Sequence, residues 1–143
     1  MARDSFSFTV FGTDPAPQGS KKYVGSRKSA AGNLIPMIVE SSPKLPAWRK
    51  AVSQAVVDAM EASGDLSKFD GAVKVEAVFY LTRPKTVTRP YPIKPPDLDK
   101  LSRGLLDGML PCWTDDSLVV RLEVSKKYAT GQSGVAVTVT KYP

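Results

Sequence analysis

The sequence predicts an α+β fold in which a mixed β-sheet is packed with two main helices. Two segments carry apolar residues at helical spacing, and the segments around them alternate apolar and polar residues like half-buried strands. The length of 143 residues suits one compact domain spanning residues 1–143. We therefore expect a single domain with the element order β, β, α, β, α, β, β.

The first half of the chain is predicted to hold two strands and one helix. Residues 5–11 (SFSFTVF) alternate and form the first strand. The Gly-, Pro- and Lys-rich segment that follows is expected to be a loop or hairpin tip with a basic face. Residues 34–41 pair as the next strand, which their proline confines to an edge. Residues 47–64 form a helix that Gly64 can close, with Trp48 as a core anchor.

The second half is predicted to begin with a long central strand at residues 72–81. Residues 82–96 contain five prolines and four basic residues, so they form an exposed, semi-rigid basic loop. A second amphipathic helix follows, with apolar residues at positions 98, 101, 105, 106 and 109. Residues 117–128 and 134–142 alternate and complete the sheet.

The composition excludes several kinds of active site. The chain contains no histidine, which rules out Ser-His-Asp triads and His-ligated zinc. The one cysteine, Cys112, cannot form an internal disulfide and is expected to be structural. No apolar run approaches the roughly 18 residues of a membrane span, and the chain does not start like a signal peptide. We therefore expect a cytoplasmic protein that does not enter a membrane.

The charge balance predicts an anionic partner. The formal net charge is +6, from 20 basic and 14 acidic residues, and such a surface attracts nucleic acid through counterion release. Two basic runs are the candidate DNA contacts, although each is also compatible with a solvated loop. These candidates are Lys21, Lys22, Arg27 and Lys28 in the first run, and Arg83, Lys85, Arg89 and Lys94 in the second.

The acidic residues are grouped against this basic background. Asp97 and Asp99 stand where the second helix begins, whereas Asp115 and Asp116 precede the next strand. The two pairs converge if that strand runs beside the helix. Any one aspartate is explained as a helix cap or a turn residue. As a set they would need a cation, because two carboxylates about 4 Å apart repel by roughly 4 kcal/mol at a dielectric near 20. Hard oxygen ligands suit Mg²⁺ or Mn²⁺, which predicts metal-dependent phosphodiester hydrolysis.

Two further residues of the second helix have open roles. Arg103 follows Asp99 by four residues on the same helical face. It either reaches a phosphate or forms an ion pair worth about 0.3–0.5 kcal/mol. Asp107 either faces the site from two turns away or anchors the helix to a neighbouring loop, and we do not expect it to bind metal.

The segments PDLDKLSRGLLDGM (residues 96–109) and TDDSLVVRLEVSKKY (residues 114–128) resemble the RusA-type Holliday junction resolvases, a family often carried by phages. The resemblance implies a RusA-like mixed-sheet fold and a homodimer. It also implies binding of four-way DNA junctions and symmetric nicking of two opposed strands with Mg²⁺. By position, Asp97, Asp99 and Asp116 match the catalytic metal-binding acids, with Asp115 beside them.

The chain departs from the family pattern at two positions. The family commonly has a catalytic lysine where Arg103 stands, and arginine does not readily give up a proton. It often has asparagine where Lys100 stands, so Lys100 is the alternative source of the cation. The competing hypothesis is a non-catalytic, basic DNA-binding or recombination-accessory protein, whose behaviour would not depend on a divalent metal.

Overall fold

A computed structural model describes residues 4–19, 21–40 and 43–143. The elements are β1 (Ser5–Phe11), β2 (Lys21–Lys28), β3 (Leu34–Glu40), α1 (Leu45–Ser63), β4 (Val73–Leu81), α2 (Leu98–Gly108), β5 (Val119–Tyr128) and β6 (Gly134–Lys141). Two short 3₁₀ helices, Leu110–Cys112 and Asp116–Leu118, lie between α2 and β5. Within the described ranges, no helix has both the length and the apolar character that a membrane crossing requires.

The main sheet has four strands in the order β1-β6-β4-β5. Strand β6 pairs antiparallel with β1 and β4, whereas β4 and β5 are parallel. The predicted mixed sheet and the central place of β4 are therefore confirmed. One face of β4 is buried through its alternating residues Val73, Val75, Ala77 and Phe79, because successive side chains of a strand point to opposite faces.

The prediction for the segment before β3 was wrong in one respect. Residues 21–28 form a strand, and the hairpin tip lies at residues 29–33. Strands β2 and β3 make a separate two-stranded sheet, so the described part of the chain has one strand more than predicted. The basic, glycine-containing sequence of β2 does not by itself predict a strand. Pairing with β3 stabilises the strand. Both strands of such a sheet are edges, which accommodates Pro36 as expected.

Helices α1 and α2 pack closely against each other above the sheet. Trp48 and Val52 of α1 are fully buried in the core, which confirms the anchoring role predicted for Trp48. Gly108 permits the close approach, since a Cβ atom there would lie 2.9 Å from Cβ of Val52. The Ser53 hydroxyl donates a 2.6 Å hydrogen bond to the carbonyl of Gly108. These contacts determine how α2 lies on the sheet.

The direction of α2 follows from the parallel pairing of β4 with β5. A parallel pair needs a crossover connection, so the helix between the strands runs back antiparallel to both. The start of α2 therefore lies at the end of β4, and its end lies at the start of β5. Its 11 residues correspond to a length of roughly 16 Å. Residues at the two ends of α2 are consequently far apart.

We predict that Gly108→Ala destabilises the protein. The added methyl group would press on Val52 and on the Arg49 carbonyl, 3.2 Å away. The overpacking costs about 1–3 kcal/mol and is partly offset by the ~1 kcal/mol gained from helix propensity, so the free energy of unfolding should fall by up to about 2 kcal/mol. Urea unfolding measures this change.

The matched control is Gly71→Ala, because a Cβ atom at Gly71 has no neighbour within 4 Å. Its stability should change by no more than about 0.5 kcal/mol. Equal effects of the two substitutions would contradict the close packing at Gly108.

Candidate active site

Asp97 and Asp99 stand at the N-terminal end of α2, as predicted. Asp97 occupies the N-cap position with extended backbone angles, and its carbonyl accepts a 3.0 Å hydrogen bond from the Leu101 amide. Its carboxylate makes no capping hydrogen bond. Both aspartates are exposed. The helix therefore begins without using the Asp97 carboxylate, which is left facing solvent.

An open cleft of about 650 Å³ lies beside Asp97. Lys100 lines the same cleft, together with Lys44, Asp14 and a set of prolines at positions 15, 17, 43, 95 and 96. The cleft thus combines two cations and two carboxylates with rigid apolar walls. Such an arrangement can receive an anionic chain segment while apolar groups rest on the prolines.

Asp14 is a cleft residue that the sequence reasoning missed. Its Oδ1 accepts hydrogen bonds from Thr82 Oγ1 at 3.2 Å and from Ser133 Oγ at 2.6 Å. Three segments distant in sequence meet at this carboxylate. No spacing pattern in the sequence joins them, so only the fold brings Asp14 into the cleft.

Lys126 fixes the peptide that leads into Asp97. Its Nζ donates hydrogen bonds to the carbonyls of Lys94 at 3.1 Å and of Pro96 at 2.9 Å. The side chain starts from β5, so the end of that strand holds the end of the proline-rich loop. Sequence reasoning did not identify Lys126 as a positioning residue.

Arg83 holds the same loop near its beginning. Its Nη1 donates to the carbonyls of Arg89 at 2.6 Å and of Val87 at 3.4 Å. The guanidinium carbon lies 4.3 Å from the centre of the Tyr128 ring, a cation–π contact. Arg83 is thus engaged within the protein, and its contact with DNA stays a prediction.

The other predicted DNA contacts differ in how they are placed. Lys28, Lys85 and Lys94 are exposed, whereas Arg89 is partly buried. The side chains of Lys21, Lys22 and Arg27 lie outside the described part of the chain. For all these residues, contact with phosphate remains a prediction.

A second acidic group lies at the other end of α2. Asp115 caps the short 3₁₀ helix, where its Oδ1 accepts a 2.9 Å hydrogen bond from the Ser117 amide. That bond and one from Asp116 lower the pKa of Asp115. Asp116 is exposed, but slight desolvation of its carboxyl raises its pKa, as do its hydrogen bond with Asp115 and the charges of Asp115 and Asp107. The crowded carboxylates make this end attractive to a cation.

Asp107 belongs to this second group and also anchors α2. Its Oδ2 lies 3.2 Å from Nη2 of Arg49, so it forms an ion pair with α1. The sequence left open whether Asp107 faces the site or anchors the helix to a loop. The structure contains an anchoring contact, but its partner is helix α1 and not a loop. Asp107, Asp115 and Asp116 line an open cleft of about 580 Å³ together with Lys50 and Arg49.

The two acidic groups do not meet within one chain. Strand β5 does run beside α2, but in the opposite direction, so the expected convergence of Asp97 with Asp116 does not occur. Asp107 follows Asp97 by ten positions, which corresponds to about 15 Å along the helix. In the described ranges, no three acidic or cysteine side chains are grouped so that they could hold a metal ion. Each end offers the hard oxygen ligands that Mg²⁺ prefers, but at neither end are three of them arranged to hold the ion.

Arg103 and Lys100 occupy different surroundings. Arg103 is exposed, and among the ion pairs between described residues none joins it to Asp99. Lys100 is partly buried in the cleft beside Asp97, and its carbonyl accepts a 3.0 Å hydrogen bond from the Gln18 amide. Of these two residues, only Lys100 lines the cleft beside Asp97, which it shares with Lys44.

The family model for the endodeoxyribonuclease RusA matches residues 14–140 of the chain. The chain belongs to the RusA endodeoxyribonuclease family. The matched range includes both ends of α2 and both clefts, which confirms the resemblance seen in the sequence. RusA family membership implies an endonuclease that acts on Holliday junctions, and it favours the enzyme over the non-catalytic DNA-binding alternative. A search of curated proteins found no match.

We predict that Lys126→Met loosens the loop in this RusA family protein. Loss of two hydrogen bonds from a charged donor should lower the free energy of unfolding by about 1–2 kcal/mol. Amide exchange in residues 82–97 should become faster, because the loop loses one of its two attachments to β5, the one through Lys126. Mass spectrometry of exchanged peptides measures this effect.

Lys127→Met is the matched control, since Lys127 is the exposed neighbour on the same strand. It should leave exchange in the loop unchanged. If both variants exchanged at the same rate as the original protein, Lys126 would not position the loop.

Proposed function

We propose that the protein is a Mg²⁺-dependent endodeoxyribonuclease that resolves Holliday junctions by paired, symmetric nicks. The observation that carries this proposal is the Asp97 carboxylate, which stands beside an open cleft and is not used to cap its helix. Family membership supplies the class of reaction and of substrate. A carboxylate left exposed at a helix start is suited to bind an ion or a proton.

The acids that would hold Mg²⁺, or Mn²⁺, are Asp97 and Asp99 together with Asp115 and Asp116. Because the two pairs lie at opposite ends of α2, we propose that one site takes one pair from each of two copies of the chain. When bound there, the ion would lower the pKa of water and offset the charge that builds on the phosphate. A site shared in this way would form only in a dimer.

A homodimer also matches the symmetry of the reaction. A four-way junction has two-fold symmetry, and two opposed cuts need two sites related by the same rotation. Two copies that each contribute both ends of α2 would create two such shared sites. The net charge of +6 on each copy favours binding of the junction.

The cations near Asp97 have distinct proposed roles. Lys100 lines the cleft, so it would contact the phosphate that is cut or donate a proton to the leaving oxygen. Arg103 is exposed, and because a guanidinium does not readily give up a proton, Arg103 would contact a phosphate without donating one. Lys28, Lys85 and Lys94, which are exposed, would bind the DNA backbone farther from the cut.

We predict that purified protein nicks a labelled four-way junction with Mg²⁺ and fails to do so with EDTA. Asp97→Asn should abolish nicking and leave junction binding unchanged or tighter, because less negative charge faces the phosphates. Denaturing gels measure the nicks, and a gel-shift assay measures binding. Absence of metal-dependent nicks at every protein concentration would contradict the proposal.

We predict further that two inactive variants restore activity when their subunits are exchanged. In a mixed dimer of Asp97→Asn and Asp116→Asn, one shared site carries both substitutions and the other carries neither. The mixture should therefore nick one strand of the junction, although each variant alone is inactive.

Each variant mixed with unaltered protein provides the control for subunit exchange. If exchange is demonstrated and the mixture of the two variants stays inactive, each site belongs to one chain. That result would contradict the shared site without affecting the proposed reaction.

A further inference from the structure

Two large apolar side chains project from the proline-rich loop. Tyr91 is 65% exposed and Ile93 is 76% exposed, whereas Pro92 between them is buried. The amide of Ile93 donates a 3.0 Å hydrogen bond to the carbonyl of Tyr91, which closes a tight turn around Pro92. The buried proline thus anchors the turn, and its two neighbours face solvent.

The protein holds this turn from both sides. Arg83 binds the carbonyl of Arg89 before the turn, and Lys126 binds the carbonyl of Lys94 after it. Both attachments reach the end of β5, through Lys126 itself and through the stacking of Arg83 on Tyr128. A loop fixed in this way loses little conformational entropy when it binds a partner. The exposed pair is therefore presented on a rigid support.

The charges around the pair identify the kind of partner. The turn lies between Arg89 and Lys94, and Lys85 is exposed in the same loop. Single exposed apolar residues are common on protein surfaces and need no explanation. An aromatic and an aliphatic side chain held between cations fit a partner that offers both phosphates and bare apolar faces. A nucleic-acid strand with unstacked bases has both properties.

We propose that Tyr91 and Ile93 form a wedge that packs against unstacked bases at the branch point of the DNA substrate. This inference rests on the proposed action on DNA junctions, and it names the loop that opens the junction. Ile93 precedes Asp97 by four residues, so the Cα atoms of the two residues lie at most about 14 Å apart. This distance corresponds to about four base steps along one strand. Insertion of the wedge would therefore bring a nearby phosphate to the cleft.

The test uses a four-way junction with 2-aminopurine at the branch point, bound by the full chain in EDTA. Fluorescence of this base rises when it unstacks. The original protein should raise the fluorescence, and the double variant Tyr91→Ala, Ile93→Ala should not. The double variant should also bind the junction about tenfold more weakly, as expected when a base–aromatic stack is lost. Its affinity for linear duplex of the same sequence should not change.

Two variants serve as controls. Leu66→Ala removes a side chain that is 66% exposed and lies on a different surface, beside Met60 and Leu110. It should leave the fluorescence rise and the junction affinity unaltered. Tyr91→Phe keeps the ring and should keep the rise. Melting temperatures should be equal for all variants, because the replaced side chains are exposed.

The inference is overturned if the double variant still raises the fluorescence, or if it loses affinity equally for junction and duplex. The measurement in EDTA separates this result from the proposed catalysis. A protein that unstacks the base through Tyr91 and Ile93 but never cuts DNA supports the wedge and contradicts the nuclease. If instead the protein cuts DNA with a metal ion and its double variant still unstacks the base, the result supports the nuclease and contradicts the wedge.

Discussion

The parallel pairing of β4 with β5 is the constraint on which the rest of the structure depends. It requires α2 to cross back over the sheet, so the aspartates at the two ends of the helix are separated by its length. The packing of Gly108 against α1 holds the helix in this position. A metal site that draws on both ends would therefore have to combine two copies, and the symmetry of the proposed dimer would then be linked to the chemistry.

Strand β5 connects the two ends of the site. Asp115 and Asp116 precede its first residue, and Lys126 and Tyr128 at its other end hold the proline-rich loop before Asp97. A change in the position of β5 would therefore act on both acidic groups at once. The same strand supports the cleft and the exposed turn, so catalysis and DNA distortion are proposed to share one rigid framework.

The spacing of apolar residues predicted most of the helices and strands, because it indicates which face of each of them is buried. The acids were likewise visible as a group in the sequence. Three features depend on contacts between distant residues and could not be predicted in that way. They are the pairing of β2, the place of Asp14 in the cleft, and the hydrogen bonds of Lys126. The separation of Asp97 from Asp116 could have been inferred, since a strand–helix–strand crossover already implies it.

The central claim is that acids from two copies form one metal site, and sedimentation equilibrium tests it most directly. If the ion binds between the copies, dimerisation strengthens Mn²⁺ binding. By thermodynamic linkage, Mn²⁺ must then strengthen dimerisation by the same factor. We predict a lower dimer dissociation constant in Mn²⁺ than in EDTA, and no difference for Asp97→Asn. The account would be contradicted if the protein binds Mn²⁺ and its dimer dissociation constant is nevertheless the same in Mn²⁺ and in EDTA.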